Sequence, residues 1–347
     1  MLVASLVTLG SPDQLTGGYL YHRRVAELAP AHGARLDLVS LPERPFPLPS
    51  ASAPRLLRRV RDSDVVVVDS IAAAYLAPWR PGPPLVAILH QPPGGIDHGP
   101  LRRWLQAPLD RALYRRCSLL LLAAEALAGP GLPPVPSAVV VPGRDVGPPP
   151  AGPPPDLRHG RRAALLSVGN WVPRKGALDL VEAFAGLPAD LATLHLVGRS
   201  DIDPRYGRRV SARLDRPDVA GRVVVHGPVP PERMAGLYRA ADVFVLPSYR
   251  DPYGTVYGEA MAAGLPVVGW RAGNLPNLAG HEREGLILEP GDRPALTAAL
   301  ARLASDPEAR ARLGAAAAAR ARARPTWDET TARFVELLAG VVSRPER

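Results

Sequence analysis

The sequence predicts an α/β protein built from two Rossmann-like, doubly wound domains that face a cleft. Three observations support this prediction: apolar segments of strand length alternate with helical patterns, a proline-rich stretch interrupts the alternation once, and 347 residues suffice for two domains. Strands that are apolar throughout and separated by helices are typical of a parallel sheet covered on both faces. Ligands of such sheets bind beyond the carboxyl ends of the strands, so we expect the site in the cleft.

The first half of the chain alternates between strand-like and helical segments. We expect its last helix to be interrupted at Pro108, because proline has no N–H to donate within a helix. The strand segments are Leu2–Leu9, Leu36–Val39, Val65–Val68, Leu85–Leu89, Leu119–Leu122 and Ala138–Val141. The helical segments are Tyr19–Ala29, Pro54–Arg61 and Leu101–Arg116.

A linker separates the halves, and the alternation restarts after it. Residues Gly147–Pro155 read GPPPAGPPP, which fits neither a helix nor a central strand and predicts a semi-rigid spacer. The predicted strands are Ala163–Val168, Leu194–Val197, Val223–Val225, Val243–Leu246, Pro266–Trp270 and Leu286–Leu288. The predicted helices are Ala177–Ala185, Arg205–Leu214, Pro231–Ala240, Thr255–Ala263, Pro294–Ala304 and a tail over Glu308–Leu338 that breaks at Pro325.

Composition excludes several classes of protein. The chain has 42 Lys and Arg against 33 Asp and Glu, a net charge of +9, but aromatic residues make up only 5%, so the stacking residues of nucleic-acid binders are scarce. The single cysteine, Cys117, excludes an internal disulfide and a cysteine-cluster metal site. No apolar run approaches the roughly 20 residues that span a bilayer, and the N-terminus lacks the basic region of a signal peptide. We therefore expect a soluble, cytoplasmic protein.

The only lysine, Lys175, lies in a glycine-containing loop between a predicted strand and a predicted helix. The stretch reads SVGNWVPRKG and also contains Asn170 and Arg174. Backbone N–H groups at a helix N-terminus favour anions, and a lysine is conspicuous in a chain whose other basic residues are all arginine. We predict a phosphate contact here; the plainer interpretation is a surface loop with an incidental lysine.

A second loop, PSYRDPYGTVYGE, places two acids around a predicted helix start. Asp251 precedes the helix and Glu259 lies about one turn inside it, with Tyr253, Gly254 and Thr255 between them. This arrangement can present two carboxylates to different parts of one ligand, with unpaired N–H groups between them. The alternative is a pair of solvated acids.

Two features of the first half lie at strand ends. His90 follows the predicted strand Leu85–Leu89 and is aimed at the cleft by its position, although a satisfied polar residue at the sheet edge is the plainer interpretation. Gly17 and Gly18 follow the first strand and permit close approach by a phosphate or sugar, or form an ordinary turn. No His, Asp or Glu grouping has metal-ligand spacing, so we predict no metal site.

Most of residues 163–292 resembles the family 4 retaining glycosyltransferases of the GT-B fold. The resemblance rests on SVGNWVPRKG, LHLVGRSD, VVVHGPVPPERMAGLYRAADVFVLPS, the Asp251–Glu259 segment, EAMAAGLPVVGWRAGNLP and EGLILEPGD, in the family's order. The first half is similar more loosely, through TGGYLYHRRVAEL, LHQPPGG and VVVPGRDV. The resemblance implies retaining transfer of a sugar from a nucleotide-diphosphate sugar, a UDP- or GDP-hexose, to a hydroxyl acceptor.

The resemblance also implies roles for single residues. Lys175 would bind the donor diphosphate and stabilise the leaving group, Asp251 would contact the donor sugar, and His90 would hydrogen-bond the sugar from across the cleft. Glu259 would bind the ribose hydroxyls. The implied donor-binding set is Gly17, Gly18, Asn170, Arg174, Lys175, Tyr253, Gly254, Thr255 and Glu259. Asn170 stands where the family usually has arginine and Asp251 where it usually has glutamate, which we interpret as differences in specificity.

By this resemblance, residues 1–157 form an acceptor-side domain with the linker, residues 158–325 the nucleotide-sugar domain, and residues 326–347 a helix that packs back on the first domain. Catalysis in the family needs no metal or other cofactor beyond the co-substrate. The acceptor is a small molecule, a lipid or a glycan; nucleic acid is not expected. A peripheral contact with the inner face of the membrane stays open, because Arg55–Arg61 and Leu101–Arg116 combine basic and apolar residues, although solvated arginine-rich faces are the plainer interpretation. Alternative functions are a non-catalytic nucleotide-sugar-binding protein and another GT-B enzyme such as an epimerase or phosphorylase.

Overall fold

The computed structural model describes residues 1–11, 17–129, 131–144 and 153–343. The chain forms two compact units: Met1–Asp145 with Pro325–Arg347, and Val146–Arg324. Most of the predicted linker at Gly147–Pro155 lies outside the described residues.

The first unit contains a sheet of six parallel strands. The strands are β1 (Leu2–Leu9), β2 (Ala34–Leu41), β3 (Val65–Asp69), β4 (Leu85–Leu89), β5 (Leu119–Leu122) and β6 (Ser137–Val139). Their order is β2-β1-β3-β4-β5-β6. Every residue of β3, β4 and β5 is buried, as expected for strands that helices cover on both faces.

Helices cover both faces of this sheet. One core contains side chains of α2 (Ala53–Val60), α3 (Ala73–Leu76) and α4 (Pro100–Tyr114), and the other contains side chains of α1 (Gly17–Leu28) and α12 (Trp327–Val342), the last helix of the chain. In the second core Tyr21 lies edge-on to the rings of Trp327 and Phe334, with centroids 5.7 and 6.5 Å away. The last helix therefore belongs to the first unit.

The helix that was expected to be interrupted at Pro108 is continuous, so that prediction is wrong. Proline within α4 removes one backbone hydrogen bond and costs about 3 kcal/mol. Packing offsets this cost, because Leu113 and Tyr114 are fully buried beyond the proline and Asp110 accepts a 2.7 Å hydrogen bond from the Gly94 N–H. Tertiary contacts thus outweigh the local preference.

The second unit repeats the architecture. Its strands are β7 (Ala163–Val168), β8 (Ala192–Val197), β9 (Val223–Gly227), β10 (Val243–Val245), β11 (Val267–Trp270) and β12 (Gly285–Leu288). All are parallel, in the order β12-β11-β10-β7-β8-β9. The chain runs outward from β7 to one edge of the sheet and returns to fill the other, so the direction of winding reverses between β7 and β10.

Seven helices connect and cover these strands in the described part of this unit. They are α5 (Ala177–Ala185), α6 (Pro204–Leu214), α7 (Pro231–Ala240), α8 (Thr255–Ala262), α9 (Leu275–Leu278), α10 (Arg293–Ser305) and α11 (Pro307–Arg322). α10 and α11 begin at aspartate N-caps, Asp292 and Asp306. A proline lies in the first turn of each helix, at the second residue of α10 and at the first residue of α11. The predicted break of the tail at Pro325 separates α11 from α12. The one-turn helices α3 and α9 are too short to show periodicity in the sequence.

The structural division differs in detail from the sequence-based one. Leu157 stands at the end of the predicted first domain but packs in a core of the second unit, 4% exposed, beside Ala164 and Leu166 of β7. A 2.7 Å contact joins its carbonyl oxygen to Nε2 of His195.

Candidate functional site

The candidate site of the second unit lies where two loops leave neighbouring strands. β7 and β10 pair in parallel, and their loops lead into α5 and α8. Because the direction of winding reverses between these two strands, the helices that follow them lie on opposite faces and the loops diverge. A crevice at such a reversal is the usual place for a ligand in an open parallel sheet.

An ion pair joins the two loops. Lys175 donates from Nζ to Oδ2 of Asp251 at 2.7 Å, and the two side chains are only 15% and 12% exposed. Oδ1 of Asp251 accepts a 3.0 Å hydrogen bond from the Gly254 N–H, next to the start of α8. The residues are 76 positions apart in the sequence, so only the strand order brings them together.

The pair changes the acidity of Asp251. Burial alone raises the pKa of this carboxyl, but the charge and hydrogen bond of Lys175, with the Gly254 N–H, outweigh burial and hold the pKa below its usual range. The carboxylate is therefore ionised at neutral pH.

Two glycines allow the loops to approach this closely. Gly176 has φ +69°, and a Cβ built on it would lie 2.1 Å from the carbonyl oxygen of Pro247 in the other loop. Gly254 has φ +70°, and its Cβ would lie 2.5 Å from Leu278. Both positions combine a left-handed backbone with a contact that excludes a side chain.

Arg174 and Asn170 are tied to backbone near the pair. Arg174 donates from Nη1 to the Arg250 carbonyl at 3.1 Å, and its own carbonyl accepts from Ser248 Oγ at 3.0 Å. The side-chain oxygen of Asn170 accepts from the Arg199 N–H at 3.0 Å. Asn170 therefore braces the loop after β7 against the loop after β8.

Glu259 is exposed on α8, and a buried tyrosine holds one of its oxygens. The Tyr238 hydroxyl donates to Oε2 of Glu259 at 2.8 Å, while the Tyr238 ring is 5% exposed. Burial, and then the Glu259 charge, raise the pKa of Tyr238 well above its usual range, so it acts as a donor. The carboxylate thus has a defined orientation although it faces solvent.

A buried asparagine supports the segment between the two acids. Asn274 donates its backbone N–H to the Asp251 carbonyl at 2.8 Å and its side-chain N–H to the Tyr253 carbonyl at 2.9 Å. Thr255 is the first residue of α8. Helix N-termini carry N–H groups without intrahelical acceptors, so α8 presents donors beside Asp251.

In the first unit, the predicted glycines and histidine lie together. Gly17 begins α1. A Cβ built on Gly18 would lie 3.4 Å from Cδ2 of His90, so the helix start packs against the imidazole of His90. His90 is 7% exposed at the end of β4, where its N–H donates to Ser70 Oγ at 3.1 Å.

The fold adds two buried residues to His90. Nε2 of His90 lies 2.7 Å from Nε2 of His22, which lies 3.7 Å from Oδ2 of Asp69. Burial lowers the pKa of His22 to about 3 and raises that of Asp69 to about 7, so the contact between these two side chains is not an ion pair at neutral pH. We call His22, Asp69 and His90 the histidine cluster.

The ligand atoms of the histidine cluster lie within 4.8 Å of one another, as the ligands of a single metal ion do. Two imidazole nitrogens on one tetrahedral zinc lie roughly 3.3 Å apart, whereas here they are 2.7 Å apart, at hydrogen-bond distance. Metal-bound histidines usually donate their second ring nitrogen to a partner, but His22 Nδ1 has none among the described residues. The geometry is that of a hydrogen-bonded pair, and the prediction of no metal site stays a prediction.

The structure thus brings the predicted residues together in two groups. One group, at the sheet edge of the second unit, contains Asn170, Arg174, Lys175, Asp251, Tyr253, Gly254, Thr255 and Glu259, and the other, in the first unit, contains Gly17, Gly18 and His90. Their individual roles stay predictions. Sequence reasoning missed Tyr238, His22 and Asp69. Asp69 ends β3, and the rule that selected His90 would have found it; Tyr238 and His22 lie within helices and give no local signal.

The segment around the second group has recognisable relatives. Residues 162–306 match the family model of the group 1 glycosyl transferases. The D-inositol 3-phosphate glycosyltransferase of Xylanimonas cellulosilytica is 34% identical over 180 residues, which are 52% of this chain and 43% of that protein. The GDP-mannose-dependent alpha-(1-6)-phosphatidylinositol monomannoside mannosyltransferase of Mycolicibacterium smegmatis is 30% identical over 190 residues, 52% of this chain and 49% of that protein. The chain therefore spans less than half the length of each of these relatives.

Solved structures match the whole chain in fold. The sucrose-phosphate synthase of Thermosynechococcus elongatus gives a TM-score of 0.81 at 20% identity, covering 98% of this chain and 99% of that one. Anabaena HepE, in complex with UDP and glucose, gives 0.80 at 20% identity, covering 97% and 99%. Together with the two six-stranded parallel sheets, these matches confirm the predicted GT-B type of α/β fold.

Proposed function

We propose that the chain is a retaining glycosyltransferase that moves a sugar from a nucleotide-diphosphate sugar, a UDP- or GDP-hexose, to a hydroxyl acceptor. The observation that carries the proposal is the Lys175–Asp251 pair at the reversal of strand order, inside the segment that matches group 1 glycosyl transferases. A partly buried cation and a helix N-terminus meet there, and both favour the binding of a diphosphate.

Lys175 supplies the charge for the diphosphate. Its ammonium is held at the start of α5 and is largely shielded from water, where a charge acts more strongly than on the surface. As the bond between sugar and phosphate breaks, negative charge grows on the leaving diphosphate, and a fixed ammonium with the N–H groups of α8 stabilises it. Asp251, anchored by Lys175 and Gly254, holds this arrangement and contacts the donor sugar.

Glu259 binds the ribose. A carboxylate accepts two hydroxyl donors well, and Tyr238 already orients one of its oxygens from the buried side. His90 contributes a contact to the sugar, and because its Nε2 faces His22, this contact uses the other edge of the ring. The proposed reaction includes no metal, and Lys175, Arg174 and the N–H groups at the start of α8 are the groups that bind the diphosphate.

Titration calorimetry with UDP, GDP, ADP and dTDP, in the presence of a chelator, tests donor binding. We expect one nucleotide to bind tightly and Glu259→Ala to weaken it at least tenfold, because the ribose contacts are lost. Glu308→Ala is the matched control, since Glu308 is an exposed glutamate in the first turn of α11. Binding of none of the four nucleotides would refute the proposal.

Turnover separates transfer from the alternatives. With the matching nucleotide sugar and a panel of hydroxyl acceptors, transfer with the donor's anomeric configuration, read by NMR, is expected. Binding without turnover across the panel would favour a non-catalytic nucleotide-sugar-binding protein, for which the neutral Asn170 in the phosphate loop is the supporting observation. Conversion of the donor without an acceptor would favour an epimerase.

A further inference from the structure

An apolar patch lies on the outer face of α4 in the first unit. Leu101 and Trp104 are each 71% exposed and Leu105 is 45% exposed. Their spacing of three and four residues puts them on one side of the helix. The opposite side is anchored by the buried Leu113 and Tyr114, so the patch is held rigidly at the surface.

The segment that contains Phe46 contacts α4. Arg102 of α4 donates to the Tyr75 hydroxyl at 3.0 Å and lies 5.7 Å from the centre of the Phe46 ring. We call Leu101, Trp104 and Leu105 the α4 patch.

The surroundings of the α4 patch are basic. Residues 97–116 contain five arginines and two aspartates, and one of these aspartates, Asp110, is buried with its pKa raised to about 7 by burial. On the same face of the sheet, α2 exposes Arg55, Arg58 and Arg59. Exposed apolar side chains on a segment rich in arginine match the boundary between lipid headgroups and acyl chains of an anionic bilayer.

The two basic segments, α2 and α4, differ in which of their apolar residues are exposed. In α2 the apolar Leu56 and Val60 are buried in the core, so this helix offers charge but nothing to insert. In α4, by contrast, Leu101, Trp104 and Leu105 are exposed. None of the helices in the described ranges has the length and apolarity of a membrane span.

We propose that the α4 patch docks the protein on an anionic lipid surface, with Trp104 and Leu101 inserted at the headgroup level and the arginines of α4 and α2 facing the lipid charge. A second copy of the chain fits less well, because two basic faces would repel each other. Tryptophan favours this depth, since its ring is apolar and its N–H reaches polar groups.

Vesicle binding tests the proposal with a built-in reporter. All five tryptophans lie in the described residues; among them Trp104 is exposed, whereas the other four are buried or half-buried. With phosphatidylcholine vesicles containing phosphatidylglycerol, we expect co-sedimentation and a blue shift of tryptophan emission, and neither with phosphatidylcholine alone. Trp104→Phe should keep binding and lose the blue shift.

Two further substitutions separate the apolar contribution to binding from the contribution of charge. Trp104→Ser should weaken binding at least tenfold, and Arg115→Gln with Arg58→Gln, both at exposed positions, about fivefold for each charge removed. The matched controls are Ile202→Ser and Arg208→Gln in the second unit, both exposed, which should bind as the native protein does.

Four results would overturn the proposal: no binding, equal binding to neutral vesicles, unchanged binding by Trp104→Ser, or a concentration-dependent dimer that Trp104→Ser abolishes. The last would assign the patch to a second copy. Nucleotide binding by Trp104→Ser should equal that of the native protein, which separates this test from the proposed function.

Discussion

The pairing of Lys175 with Asp251 predicts a strong thermodynamic coupling. At an effective dielectric constant of about 20, two unit charges at the observed 2.7 Å attract each other by roughly 6 kcal/mol, most of which offsets their desolvation. Lys175→Met keeps the length of the side chain but leaves the Asp251 carboxylate buried without its cation. Because both groups retain slight exposure, we expect a loss of about 3 kcal/mol in the free energy of unfolding.

Asp251→Asn is the matched partner in a double-mutant cycle. Its amide oxygen can still accept the Gly254 N–H, so the expected loss is smaller, about 1–2 kcal/mol. The double variant contains no unpaired charge and should be more stable than the two losses predict, with a coupling energy of at least about 1.5 kcal/mol. Urea unfolding followed by the fluorescence of Trp171 and Trp270, both buried in the second unit, measures this directly.

The pH dependence of the free energy of unfolding tests the ion pair independently. The folded pKa of Asp251 is depressed, so the stability that ionisation contributes is present above the unfolded pKa, about 4, and is lost as the pH falls through the folded value. The difference between native protein and Lys175→Met should therefore shrink as the pH falls below about 4. Losses that add within about 0.5 kcal/mol, or a difference that does not change with pH, would refute the pairing.

Three further predictions concern positions around the two sites. In calorimetry, Tyr238→Phe should weaken nucleoside diphosphate binding roughly tenfold and leave binding of the 2′,3′-dideoxy analogue unaffected. Tyr114→Phe is the control, because the Tyr114 hydroxyl has no partner among the described residues. Equal losses for both ligands would contradict the proposed role of Tyr238. Asp69→Asn should raise Tm at pH 8 but not at pH 4. Burial raises the pKa of Asp69 to about 7, so the native protein loses stability as the pH rises from about 4 through 7 and this carboxyl ionises. An equal change of Tm at both pH values would argue against burial of an ionisable carboxyl. Gly176→Ala should lower Tm and nucleotide affinity together, since its Cβ would lie 2.1 Å from the Pro247 carbonyl oxygen; an unchanged Tm would show that the loops can separate.

Much of the fold could be predicted because its signals are local. The limits of β1, β4, β5 and β7 coincide with the predicted apolar segments, since a strand buried on both faces is apolar along most of its length. The error at Pro108 has the opposite origin: a local rule was outweighed by the packing of Leu113 and Tyr114, which the sequence around the proline does not reveal.

The candidate site was predictable in its members but not in its contacts. Lys175 was conspicuous as the only lysine, and Glu259 and Asp251 by their place around a helix start. That Asp251 bonds to Lys175, and that Tyr238 orients Glu259, depends on which strands are neighbours and on how helices pack. The same holds for the histidine cluster, whose members are separated by 47 and 21 positions in the sequence.

By itself, then, the sequence determined the order of strands and helices, the two-domain α/β class and the loops that contain the polar residues, because periodicity and glycine or proline punctuation are properties of neighbouring residues. Only the tertiary structure decided that Lys175 faces Asp251, and that Leu56 of α2 is buried while Trp104 of α4 is exposed. These outcomes depend on the strand order and on the burial of whole helix faces, which arise from contacts between residues distant in the chain.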